Sequence, residues 1–200
     1  MPAFLGTYHS FLYGIVIFKF IGMLQFIPLH TTDQAYAFVE NLWHESFPES
    51  ERREDDPQRC NVDHNEAFTC YLIAEDTLQI GFITVWTLEG FSYVEHLATS
   101  PLVRNKGYGR KIMEKLQNQF PGPLILEVEK PVDEMSRRRI GFYQRCGFRL
   151  CEKDYVQPPY RKGGESLPMF LMYAGTDDIA ADFASIRDEI YEKVYGVKSV

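Results

Sequence analysis

Arg104-Asn105-Lys106-Gly107-Tyr108-Gly109-Arg110 is a basic, glycine-spaced stretch whose reading decides the fold. Before it, Phe91 to Thr99 is rich in aromatic and β-branched residues, as a strand is, and Ser100-Pro101 closes that run. After it, Ile112, Met113, Leu116 and Phe120 recur at helical spacing within Lys111 to Phe120. The stretch therefore opens a helix. A helix start carries unpaired N–H groups and a partial positive charge, and two glycines let an anion approach the backbone. Arg104, Lys106, Arg110 and Lys111 add local positive charge to a chain whose formal net charge is -7. That reversal of sign points to an anionic ligand such as a phosphate. A Walker loop is excluded, because no Gly-Lys is followed by Ser or Thr. A dinucleotide fingerprint is excluded as well, since Ile112 stands where the third glycine belongs.

Outward from the loop, the chain reads as alternating strands and helices. Leu24 to Ile27 has the pattern of a first strand. Thr32 or Asp33 is expected to cap a helix with its stripe at Ala35, Phe38, Val39, Leu42 and Trp43, which stops at Phe47-Pro48. The charged segment from Glu49 to Asn65 reads as a short polar helix followed by a loop, with its carboxylates solvated. Phe68 to Ala74 and Thr77 to Trp86 form a hairpin that Phe91 to Thr99 extends. Pro121-Gly122-Pro123 ends the helix after the loop. In the next strand Leu124, Leu126 and Val128 face one way, and Ile125, Glu127 and Glu129 the other. A helix from near Asp133 halts at Gly147, and strands follow over Phe148 to Val156 and Leu167 to Tyr173. Asp177 to Tyr195 reads as a final helix striped by Ile179, Phe183, Ile186 and Ile190, a packing face or homodimer surface.

A second signature lies on that later unit: Phe142-Tyr143-Gln144-Arg145-Cys146-Gly147-Phe148. Arg-x-x-Gly-x-Gly after a strand, with Phe-Tyr-x-x-x-Gly-Phe about 40 residues on, resembles the GNAT superfamily of N-acetyltransferases. The resemblance runs from about Met23 to Tyr173. It implies an α/β (α+β) fold with a mixed, mostly antiparallel central sheet flanked by helices. It also implies direct transfer of an acetyl group from acetyl-coenzyme A to an amine through a tetrahedral intermediate. The pyrophosphate would lie on Arg104, Asn105, Lys106, Gly107, Tyr108, Gly109 and Arg110, and the pantetheine arm along Leu97, Ala98 and Thr99. An acceptor amine with a pKa of about 10 needs a base, for which Glu127, Glu95 and Glu129 are candidates. Strand alternation puts Glu95 with Tyr93 and Leu97, and His96 on the opposite face, packed. Tyr143 matches the family's usual acid for the departing thiolate. By the same resemblance, the carboxylates of Glu49 to Asp56 overhang the acceptor cleft, and Tyr155 and Tyr160 border it. The chain departs from the family pattern at Ser136 and Arg139, where Asn and Ala are frequent, and in a longer loop after Glu129. Two other readings compete: an acyl-coenzyme A sensor without turnover, and a nucleotide-binding protein.

Composition sets the remaining bounds. With 200 residues, 45% of them hydrophobic, the chain can bury a large core, and residues 23–200 read as one domain. The acidic balance, with an isoelectric point near 5.3, disfavours nucleic acid and anionic membrane and suits a cationic acceptor. Cys60, Cys70, Cys146 and Cys151 form no Cys-x-x-Cys pair, so reduced cytoplasmic thiols and no metal are expected. The apolar run from Phe11 to Ile27 carries Lys19 and falls short of the roughly 20 residues of a membrane span. It also lacks the grammar of a signal peptide. Residues 1–22 are thus expected to be an extension upstream of a start at Met23, the competing reading being a membrane tether.

Overall fold

The computed structural model describes residues 22–197. Almost all of the residues 1–22 on which the extension was read therefore lie outside the described ones. Seven strands form one sheet in the order β1-β2-β3-β4-β5-β7-β6. They are β1 (Leu24–Pro28), β2 (Phe68–Glu75), β3 (Leu78–Leu88), β4 (Phe91–Thr99), β5 (Leu124–Glu129), β6 (Arg149–Gln157) and β7 (Leu167–Ala174). Every neighbouring pair is antiparallel except β4 with β5. The sheet is covered on both faces, because its strands alternate two sets of buried side chains. One face packs α1 (Tyr36–Ser46), α2 (Asp55–His64) and α5 (Phe183–Lys193), through Val39, Leu42, Val62, Phe183, Ile186 and Ile190. The other packs α3 (Tyr108–Gln119) and α4 (Glu134–Arg145), through Ile112, Met113, Leu116 and Ile140. On β5, Leu124, Leu126 and Val128 go to the α3/α4 face and Ile125 to the other, as the alternation requires.

Three helix expectations are corrected. Neither Thr32 nor Asp33 caps α1: the cap position is Ala35, without a side-chain bond, and the Asp33 carboxylate instead accepts from the His30 N–H at 2.7 Å. The segment after Pro48 inverts the expected order. A single 3-10 turn at Glu49–Glu51 comes first, and the true helix, α2, follows at Asp55–His64. The last helix begins at Phe183 rather than Asp177, because the Asp178 carboxylate accepts from the N–H groups of Ile179 and Ala180 and folds the chain into a turn. By contrast, Asp133 starts α4 through a reciprocal capping box with Ser136, at 2.7 Å and 3.2 Å.

Candidate active site

The parallel pair β4/β5 is the place where the sheet opens. Its register covers only Ser92↔Leu124, Tyr93↔Ile125 and Val94↔Leu126. Beyond Val94, β4 continues to Thr99 against β3, and beyond Leu126, β5 continues to Glu129 against β7. The two strands thus part into a slot between Glu95–Thr99 and Glu127–Glu129. Leu97, Ala98 and Thr99 keep one backbone edge that no strand among the described residues covers, a ready partner for an extended ligand.

The far end of β4 leads through the 3-10 turn Pro101–Val103 to the start of α3. Asn105 and Gly107 both sit in the left-handed region, at φ 62° and 82°, and Gly107 occupies the cap position. No atom stands within 4 Å of a Cβ built on Gly107, so its backbone conformation, not crowding, calls for glycine. Gly109 is small for a different reason: a Cβ there would lie 3.1 Å from the Phe142 ring. The two signatures of the sequence therefore touch, Phe142 of α4 packing on the first turn of α3. The basic side chains divide. Lys111 and the Tyr108 hydroxyl both donate to Glu75, at 3.3 Å and 2.6 Å, and Arg110 pairs with Glu114 at 2.9 Å. Arg104 reaches only the Thr99 carbonyl, at 3.4 Å, and neither it nor Lys106 forms an ion pair among the described residues.

The near end of the slot borders a cavity of about 90 Å³. Four glutamates line it: Glu51 from the 3-10 turn, Glu95 from β4, and Glu127 and Glu129 from β5. His96, Arg139, Gln157 and Tyr160 also contribute, with Phe47, Leu167 and Met169 as apolar wall. A β-bulge explains one correction to the sequence reading. Val94 pairs with Val85 and His96 with Thr84, adjacent residues on β3, so Glu95 is the extra residue. Strict alternation fails there. Glu95 and His96 both line the cavity, while Leu97 packs on the α3/α4 face.

Glu95 is fully buried, pairs with Arg53 Nη1 at 2.5 Å and accepts from Trp86 Nε1 at 3.0 Å. Burial alone would raise its carboxyl pKa, but Arg53 and its other partners hold it below the usual carboxylate range. Arg53 lies over the rings of Trp86 and Tyr160, at 5.3 Å and 5.2 Å, and donates to the Val194 carbonyl at 2.6 Å. Glu127 behaves in the opposite way. Tyr155 and Gln157 donate to it, as does Tyr195 at 2.9 Å, yet burial outweighs these bonds and raises its pKa. Glu51 is also raised, first by burial and then by repulsion from Glu129, which Arg139 holds at 2.5 Å.

Tyr143 is not among the side chains that line the cavity. It packs with Phe142 and Phe148 on the α3/α4 side of the sheet, ring centroids 5.3 Å and 5.8 Å away. Burial raises its pKa, while Arg139 and Glu129, which also act on Glu51, bear on it electrostatically. Tyr143 thus packs on the α3/α4 face of the sheet and stands apart from the cavity that the glutamates line. Of the acidic run Glu49 to Asp56, only Glu51 reaches the cavity; Glu49 pairs with Arg161 and Asp55 with Arg52 and His44. Tyr160 lines the cavity, whereas Tyr155 lies behind Glu127 and does not. Sequence reasoning missed Arg53, Trp86, His96, Gln157 and Tyr195. Arg53 looked like one more charge in a solvated run, and Tyr195 stands 68 positions from the glutamate it meets. Among the described residues, no group of three or more His, Cys, Asp or Glu side chains is placed to hold a metal ion. Among them too, no helix is long and apolar enough to cross a membrane.

Residues 36–148 match the profile of the acetyltransferase (GNAT) family. A GNAT-family acetyltransferase from Bacteroides thetaiotaomicron is 49% identical and superposes with a TM-score of 0.85, over 87% of this chain and 99% of that one. This chain belongs to the GNAT family of acetyltransferases. More distant GNAT folds include a spermidine N-acetyltransferase SpeG chimera from Vibrio cholerae and hSSAT, at 18% identity and TM-score 0.55 over 76% and 94% of the two chains. The ribosomal-protein-S18-alanine N-acetyltransferase from Escherichia coli, at 19% and 0.52 over 76% and 93%, is another. These two share the fold. No curated protein gives a match. The family profile stops at Phe148, so β6, β7, α5 and two of the tyrosines that donate to Glu127, Tyr155 and Tyr195, lie outside it.

Proposed function

We propose that this GNAT enzyme transfers an acetyl group from acetyl-coenzyme A to a primary amine that enters the four-glutamate cavity. The observation that carries this reading is continuity. The slot between β4 and β5 runs from the start of α3 at one end to the buried glutamates at the other. Acetyl-coenzyme A fits the slot by its chemistry: its amide-bearing arm suits the uncovered edge of Leu97 to Thr99, and its pyrophosphate suits a helix start. Gly107 and Asn105 shape that start, with Arg104 and Lys106 beside it. The cosubstrate supplies an activated acetyl thioester.

The chain's own residues then have three tasks. Glu127, with its pKa raised by burial, is the base that takes a proton from the acceptor, since a base works best near the ambient pH. Glu95, kept ionised by Arg53, supplies a fixed negative charge that favours a cationic nitrogen. Tyr143 offers its hydroxyl to the departing sulfur from the α3/α4 face of the sheet. Four free cysteines, two of them buried, are in keeping with a reducing, cytoplasmic setting, and residues 23–200 are read as one catalytic domain. Thermal-shift measurements with acetyl-coenzyme A, ATP and NAD test the reading. Stabilisation by acetyl-coenzyme A alone is expected, and stabilisation by ATP or NAD instead would refute it.

A further inference from the structure

His96 carries a polar atom that the proposed reaction does not yet use. Its ring is 2% exposed and held on three sides, by Phe47 at 4.4 Å, Tyr160 at 5.7 Å and Trp43 at 6.0 Å. Its backbone N–H donates to the Thr84 hydroxyl at 3.0 Å, which fixes the strand beneath the ring. The ring Nε2 lies 3.0 Å from the Glu51 carbonyl oxygen. A carbonyl only accepts, so Nε2 must carry the hydrogen, and in a neutral ring Nδ1 is then a bare lone pair. Burial and the guanidinium groups of Arg53 and Arg52 favour the neutral ring over Glu95, which opposes them. That Nδ1 is buried and has no hydrogen-bond partner among the described residues. Leaving a buried acceptor unsatisfied is costly, so its retention beside a cavity calls for a partner. Glu95 Oε2, a second acceptor, stands 3.8 Å from His96 Nδ1. Two acceptors at that separation cannot bond to each other, but one nitrogen bearing two hydrogens can reach both at hydrogen-bond distances of about 2.9 Å.

We propose that His96 Nδ1 and Glu95 Oε2 form the subsite for the acceptor's amine nitrogen, which takes a nitrogen bearing at least two N–H donors and rejects a tertiary or quaternary one. The bulge at Glu95 creates the subsite, because it brings adjacent residues of one strand to the same cavity. His96 is thereby a substrate-contacting, specificity-determining residue, distinct from the proton-accepting Glu127. The inference rests on the proposed acetyl transfer only for the identity of the acceptor; the subsite itself is tested without acetyl-coenzyme A.

The test uses protein labelled with nitrogen-15 at histidine. In the free enzyme the His96 Nδ1 resonance should be that of an unprotonated ring nitrogen. Adding methylammonium, small enough for the cavity, should move it, whereas tetramethylammonium, which has no N–H, should leave it in place. His96→Gln keeps a donor for the Glu51 carbonyl and removes the Nδ1 acceptor. It should retain the fold by circular dichroism, bind acetyl-coenzyme A as the parent does, and raise KM for methylamine at least tenfold. A protonated Nδ1, an equal response to both ions, no response to methylammonium, or an unchanged methylamine KM would overturn the subsite. Loss of acetyl-coenzyme A binding by the parent protein would instead count against the proposed reaction, so the two failures are separable.

Discussion

Glu127 and Glu95 are both buried and have pKa values displaced in opposite directions, and the separate roles proposed for them rest on that contrast. For Glu127 the folded protein holds its proton at pH values where the unfolded chain has lost it. Stability therefore falls as pH rises from the ordinary carboxylate range through the raised pKa. Glu127→Gln should flatten that decline, as read by urea denaturation across pH, and a decline equal to the parent's would contradict the raised pKa. The Glu95 contribution has the reverse sign: it is present above the unfolded pKa and is lost as pH falls through the depressed one. At the same scale, Tyr143→Phe should lower turnover by about 10² or more while leaving acetyl-coenzyme A affinity within a factor of a few. Equal turnover in the two proteins would remove Tyr143 from the chemistry. Tyr143 and Glu127 could be put forward from the sequence because each sits in a local pattern, a signature in one case and a clean alternation in the other. His96 could not, since a bulge is set by pairing with β3 and leaves no mark in the period of β4 itself.

At the scale of elements, the helix start at α3 carries the proposed phosphate contact by its backbone. Gly107→Val would force a β-branched residue to a φ of 82°, at a cost of about 1–2 kcal/mol, or displace the turn. Acetyl-coenzyme A affinity should fall at least tenfold by calorimetry with α3 still formed; undiminished affinity would place the pyrophosphate elsewhere. Strands and the helices α1, α3 and α4 were readable because the apolar period and the flanking prolines mark α1 and α3, while period and caps agree for α4, at Asp133 and Gly147. The segment from Glu49 to Asn65 was misread because charge was taken for exposure. Arg52 and Arg53 are buried, with Trp43 5.1 Å from one and Trp86 and Tyr160 flanking the other. Arg53 is satisfied by Glu95 and the Val194 carbonyl, partners far away in sequence that no local window contains, whereas Arg52 bonds locally to the Phe47 carbonyl and Asp55.

Across the whole molecule, the turn that follows α5 backs the carboxylates of the cavity without lining it. Tyr195 bonds to Glu127 at 2.9 Å and the Val194 carbonyl to Arg53 at 2.6 Å, so residues after α5 support both central carboxylates. Tyr195→Phe removes a bond that favours the ionised form of Glu127, which raises its pKa further. Since a protonated base cannot take the acceptor's proton, the acid limb of the pH-rate profile should shift to higher pH. An unmoved limb would show that Tyr195 does not act on the base. In the proposed reaction, slot and cavity form one path from acetyl donor to amine acceptor. The most direct measurement is amine-dependent release of free thiol from acetyl-coenzyme A by the intact protein, over a panel of primary amines. Release that requires a primary amine and disappears with Gly107→Val is the result this account predicts; absence of amine-dependent release across the panel, from folded protein that binds acetyl-coenzyme A, would contradict it.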